Sequence, residues 1–213
     1  MKQNWDTLED LFSAVSGEEY VVLRNYLHLR EEISSLSHPD IDLLCRNPKR
    51  IREKWELTSR GRVPDGIHFT LSFSGLSVPV DLRHVGDGYL DPSWENHILE
   101  HRVLYESLCF VPSPEDYRYS LLYHVTIQKR KISPDYRNHL AALFPKLSPA
   151  SSREEYLALL EPYLEAHQYR YVQPAYPLSV FHTEGTDPRL LERKIGRTLL
   201  RSCAGSLAKV LKS

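Results

Sequence analysis

The sequence predicts an α+β protein, with a mixed sheet flanked by helices over residues 1–90 and a mostly helical region over residues 91–213. Three observations carry this expectation. Short β-rich or period-two runs occupy residues 20–25, 40–45 and 67–83, whereas helical periodicity dominates after residue 91. Proline and glycine clusters separate the runs, and no internal repeat relates them. The 213 residues, 41% hydrophobic and 26% charged, suffice to bury a sizeable core, and a net charge of −1 gives no bulk argument for a nucleic-acid partner.

In chain order, residues 5–16 set Trp5, Leu8, Leu11, Phe12 and Val15 on one helical stripe that Gly17 stops. Tyr20–Asn25 (YVVLRN) and Asp40–Cys45 (DIDLLC) read as strands. Pro48 opens a short helix whose Ile51 and Trp55 pack on the sheet. The runs IHFTLSF and LSVPVDLR, joined at Ser74-Gly75, read as an antiparallel hairpin.

Beyond the turn at Gly86, Asp87 and Gly88, residues Trp94–Leu108 and Asp116–Lys129 carry helical periodicity. Ser133-Pro134 starts a further helix through YRNHLAALF, and Ser151 or Ser152 with a glutamate three residues on forms a capping box before EEYLALLEPYL. Tyr169–His182, rich in tyrosine and proline, reads as an extended loop or edge strand. Asp187–Lys212 aligns Leu191, Ile195, Leu199, Cys203 and Leu207 on one stripe of a helix whose other faces are basic. So regular a stripe is expected to pack on the helical region rather than on a membrane.

Cys45, Cys109 and Cys203 are odd in number and far apart, which suggests neither a disulfide framework nor a CxxC metal site and fits a reducing cytoplasm. The first ten residues lack the basic start and apolar run of a signal peptide, and no stretch approaches the ~20 apolar residues of a membrane span. A cytoplasmic protein is expected.

The chemistry-bearing pattern is acidic. In DIDLLC the strand period of two sends Asp40 and Asp42 to one side and Ile41 and Leu43 to the other. In LSVPVDLR it turns Val78, Val80 and Leu82 inward and Asp81 and Arg83 outward, so Asp81 shares the face of the first pair if the strands are neighbours. Carboxylates so gathered raise one another's pKa, and a divalent cation resolves the repulsion. Oxygen-only donors point to Mg2+ or Mn2+ rather than Zn2+. The bland alternative is a solvated acidic strand edge.

Over about residues 5–130 the order of these elements resembles the DNA polymerase beta-type nucleotidyltransferase superfamily. There a phosphate-cradling Gly-Ser turn precedes a strand bearing an Asp-x-Asp pair, and a later strand supplies a third aspartate. Asp40, Asp42 and Asp81 match the three acids by position. The runs YVVLRNY, HPDIDLLC and VPVDLRHVGDGY also resemble an uncharacterised bacterial nucleotidyltransferase-like branch, some of whose members are associated with surface-polysaccharide genes. Leu23-Arg24-Asn25 stands where the superfamily has Gly-Ser. Arg24 and Asn25 either contact phosphate by side chain, or Arg24 pairs with a neighbouring aspartate.

The resemblance implies an enzyme that moves a nucleotidyl group from an NTP, ATP among them, to a small acceptor such as a sugar or polyol phosphate of surface-glycan metabolism. Asp40, Asp42 and Asp81 would hold the metal. Arg83, His84, Asp87 and Tyr89 at the cleft mouth, and Tyr123, His124 and Lys129 on the helix beyond, are candidate nucleotide or substrate contacts. The competing expectation, favoured by the missing Gly-Ser turn, is a catalytically inactive nucleotide-binding or partner-binding module of the same fold.

Overall fold

Thr7 opens the chain's first helix, α1 (Leu8–Ala14), by accepting the Asp10 N–H on its hydroxyl, which satisfies one of the unpaired amides of the first turn. The structure, a computed structural model, describes residues 5–29, 40–61, 65–174 and 181–192. Strands β1 (Tyr20–Val22), β2 (Ile41–Cys45), β3 (Thr58–Ser59), β4 (His68–Phe73) and β5 (Leu76–His84) form one sheet in the order β1-β2-β5-β4-β3. Only β2 and β5 run parallel; the other neighbours are antiparallel, so the sheet is mixed. The fold is α+β.

Helix α2 (Pro48–Lys54) begins at an Asn47 cap with proline at the first position, and the Trp55 indole N–H donates to the Leu11 carbonyl, tying α2 to α1. Both helices cover one sheet face, where Tyr20, Val22, Ile41, Leu43, Phe69, Leu71, Val78, Val80 and Leu82 are buried. The β4–β5 hairpin closes through Ser74 and Gly75 with φ of 48° and 78°, the left-handed pair that a two-residue turn of this type needs.

The opposite face, represented by Val21 and Leu44, packs on the second half. That half comprises α3 (Pro92–Glu100), α4 (Pro114–Tyr123), α5 (Pro134–Leu143) and α6 (Arg153–Ala166), four of the six α-helices among the described residues. Helix α6 carries the capping box with Ser152 and Glu155 in reciprocal hydrogen bonds.

Several boundaries differ from expectation. β1 ends at Val22 because Asn25 adopts a left-handed conformation (φ 61°), and Asp40 lies just ahead of β2 rather than in it. The run from Trp94 to Leu108 is not one helix. It divides at Glu100, and β6 (Val103–Tyr105) pairs with β7 (Cys109–Val111) in a separate ribbon. Glu106 and Ser107 both take positive φ, which no right-handed helix accommodates, and the flanking valines and aromatics suit strands. α4 ends at Tyr123 and continues as a π-helical turn, His124–Gln128.

Tyr171 makes an isolated bridge to Leu191, an extended arrangement, while residues 175–180 of that segment lie outside the described residues. Of the predicted basic helix, residues 187–192 are described and hold a 3-10 turn at Pro188–Leu190, while the rest from residue 193 lies outside the described residues. Cys45 and Cys109 are buried, and among the described residues no helix is long and apolar enough to cross a membrane.

Candidate active site

The parallel pairing of β2 with β5 makes Asp42 the register partner of Asp81. Burial of Ile41, Leu43, Val80 and Leu82 in the first core fixes that register, because a one-residue slip of either strand would drive its carboxylate into the apolar face. The two backbones are therefore about 4.8 Å apart at the aspartates. Where these residues meet the helical half, packing gives way to a cavity of about 220 Å³. Its acidic wall is Asp40, Asp42 and Asp81, and its basic groups are Arg24, Arg83 and Lys129. Tyr89 from the loop after β5, with His124, Gln128 and Tyr136 from the second half, forms the facing side.

Arg24 grips Asp42 at both oxygens, Nη2 to Oδ1 at 2.8 Å and Nε to Oδ2 at 3.1 Å. Burial works against the guanidinium charge, but Asp42 and the phenols of Tyr89 and Tyr136 more than offset it and raise its pKa. Arg24 is a permanent cation here. Of the two readings of Leu23-Arg24-Asn25, the structure contains the ion pair; Asn25 lines the cavity and supplies the left-handed residue of the turn.

A second layer holds Arg24 from behind. Its Nη1 donates to the Tyr89 hydroxyl, and Tyr89 Oη lies 3.2 Å from His124 Nδ1. The Gln128 amide nitrogen donates to the Tyr89 carbonyl at 2.6 Å, which leaves Gln128 Oε1 to accept from His124 Nδ1–H at 2.8 Å. His124 Nε2 is then the acceptor, 3.5 Å from the Tyr136 hydroxyl. Burial, then the charges of Arg24 and Lys129, push His124 well below its ordinary pKa, so it is a neutral hydrogen-bonding group at pH 7. The π-helical turn brings His124 and Gln128 together at this wall, a common use of such turns.

Asp81 is electrostatically strained. Burial raises its pKa, the neighbouring Asp42 charge adds to the effect, and His68, Arg83 and Arg24 only partly compensate. Arg83 stacks over Tyr89 with its guanidinium carbon 4.8 Å from the ring centroid and lies 3.8 Å from Asp87. Asp87 shapes the loop by accepting the N–H groups of Tyr89 and His84. Glu95, fully buried in α3, anchors the same loop by accepting from Gly86 and Leu90.

The donor chemistry fits Mg2+ or Mn2+: oxygen ligands on two paired strands and on the residue leading into one of them. As the side chains stand, however, no group of three or more acidic, histidine or cysteine side chains among the described residues is gathered to hold an ion, and Asp42 is engaged by Arg24. Three expected contacts lie elsewhere, Asp87 among them, since it is buried in the loop that it shapes and does not line the cavity. Tyr123 is a fully buried core residue whose hydroxyl accepts the Val172 N–H, and His84, partner of Cys45 at the end of β5, does not line the cavity. Gln128 and Tyr136 were not expected. Gln128 follows His124 at helical spacing, a usable signal; Tyr136 comes from the next helix and has none.

No protein-family model matches the chain, and no curated protein sequence matches it.

Proposed function

We propose that the chain is a Mg2+- or Mn2+-dependent nucleotidyltransferase, moving a nucleotidyl group from an NTP to a small acceptor such as a sugar or polyol phosphate of surface-glycan metabolism. The observation that supports it best is the in-register pair Asp42 and Asp81 at a cavity that also presents Arg24, Arg83 and Lys129. Asp42, Asp81 and Asp40 would hold the ion, which supplies charge neutralisation at phosphorus when bound. Arg83 and Lys129 bring cationic groups to the same space for phosphate oxygens, and Arg24 can grip phosphate bidentately. The odd number and wide spacing of the three cysteines suit a cytoplasmic setting, where NTPs are available.

The test is pyrophosphate release from each of the four common NTPs with Mg2+ and a panel of phosphorylated sugars and polyols. Asp42→Asn and Asp81→Asn should both abolish release while circular dichroism stays unchanged; undiminished release in either variant would remove it from the site.

The Arg24–Asp42 pair supports a second reading, a nucleotide-binding or partner-binding module of the same fold without turnover. Calorimetry separates the two, since the module binds NTP and releases no pyrophosphate with any acceptor.

A further inference from the structure

On β4, Phe69, Leu71 and Phe73 enter the first core, so the period of two puts His68 on the opposite face with Asp81. His68 is the register partner of Asp81, as Asp81 is of Asp42. Three adjacent strands thus present Asp42, Asp81 and His68 at one level of the sheet.

The imidazole is held from behind by Asp65. One oxygen of Asp65 accepts the backbone N–H groups of Ile67 at 2.9 Å and His68 at 2.8 Å, which is all that the turn through Gly66 requires. The other accepts His68 Nδ1–H at 2.5 Å, and that bond fixes the ring rather than the backbone. With Nδ1 so engaged, Nε2 faces Asp81, 3.7 Å from Oδ1, an ion-pair distance for the imidazolium, in which Nε2 carries a proton as well. The Asp65 carboxylate is a dependable anchor: its hydrogen bonds from His68 and Ile67 outweigh the opposing effect of burial and hold its pKa down at about 2.

We propose that His68, oriented by Asp65, is a positioning residue for Asp81, fixing that carboxylate for the divalent cation from the β4 side. The inference rests on the metal-dependent reading above. Groups that hydrogen-bond or orient a metal's carboxylate ligands cost about 10–100-fold in metal affinity when removed. An asparagine oxygen at position 65 can still accept the two backbone N–H groups of the turn, so the loss expected of Asp65→Asn passes through the imidazole.

The experiment titrates Mn2+ into the full chain with a non-hydrolysable NTP analogue, reading free Mn2+ by electron paramagnetic resonance, with thermal midpoints in parallel. Asp65→Asn and His68→Ala should each weaken Mn2+ binding about tenfold, His68→Gln should recover part of the loss, and the Asp65→Asn/His68→Ala double variant should be no weaker than His68→Ala. Thr70→Ala, two residues along the same face, should bind as the parent does. Unchanged Mn2+ affinity in Asp65→Asn and His68→Ala, with a parent that binds, overturns the positioning role. A parent that binds no Mn2+ overturns the metal-dependent reading itself. Should His68→Ala fail to fold, Asp65→Asn and His68→Gln decide the matter alone.

Discussion

The guanidinium of Arg24 engages both carboxylate oxygens of Asp42 with side chains only 12% and 7% exposed, so the pair is a buried, bidentate bridge across the site. It joins the segment after β1 to the centre of the sheet, and its second face rests on Tyr89 and thus on the helical half. The same contact occupies Asp42 oxygens that a cation would use. Breaking it and using it are therefore opposed, and separate measurements can read each.

Arg24→Met should cost about 3–5 kcal/mol of stability, because it strands a buried carboxylate. Adding Asp42→Leu should restore most of the loss, since the charge then disappears with its partner. Urea denaturation of the two single variants and the double measures this; a loss under about 1 kcal/mol for Arg24→Met would mean that water reaches Asp42.

Asp81→Asn should do the reverse, abolishing activity while raising the thermal midpoint. Burial and then the Asp42 charge raise the Asp81 pKa, so the native state disfavours the ionised carboxylate and is less stable at neutral pH for carrying it. An isosteric amide removes that repulsion. A lowered midpoint by calorimetry would show that the charge is compensated.

Glu95 gives the fold a pH dependence of definite sign. Burial outweighs its hydrogen bonds from Gly86 and Leu90 and raises its pKa from 4.5 to about 8. The native state therefore holds this proton more tightly than the unfolded chain, and the stability linked to it is present below pH 4.5 and lost as the pH rises towards 8. The slope is at most about 1.4 kcal/mol per pH unit for one proton. Urea midpoints between pH 5 and pH 8 should fall, and Glu95→Gln should flatten the trend; an equal slope in the variant would assign it to other groups.

Lys129 and Tyr136 meet at the wall of the cavity. The Lys129 ammonium lies 5.6 Å from the Tyr136 ring centroid at the cavity wall, and neither residue is fully buried. Lys129→Met is expected to weaken NTP binding about tenfold, the loss of one phosphate contact of roughly 1.4 kcal/mol, with a midpoint unchanged within a degree or two. Equal affinity by calorimetry would remove Lys129 from the phosphate contacts.

Much of the sheet was legible because strand alternation is a local rule. Ile41 and Leu43 against Asp42, and Val80 and Leu82 against Asp81, declared their faces without any knowledge of partners. The Ser74-Gly75 turn and the Ser152–Glu155 capping box were legible for the same reason: each is a contact within four residues. The ribbon of β6 and β7 was misread because Val103–Leu108 is also compatible with a helical stripe, and β7 lies against β1, some ninety residues earlier in the chain.

By itself, then, the sequence determined the α+β class and the inward and outward faces of β2, β4 and β5, and it singled out three aspartates that the fold sets along one cavity. Tertiary structure alone decided that Asp42 is paired with Arg24, that His124, Gln128 and Tyr136 wall the cavity while Tyr123 is core, and that His68 stands beside Asp81. The division follows from range. Periodicity and capping act over a few residues and leave their mark in the string, whereas ion pairing and register join groups tens of residues apart, and folding is what sets the distance between them.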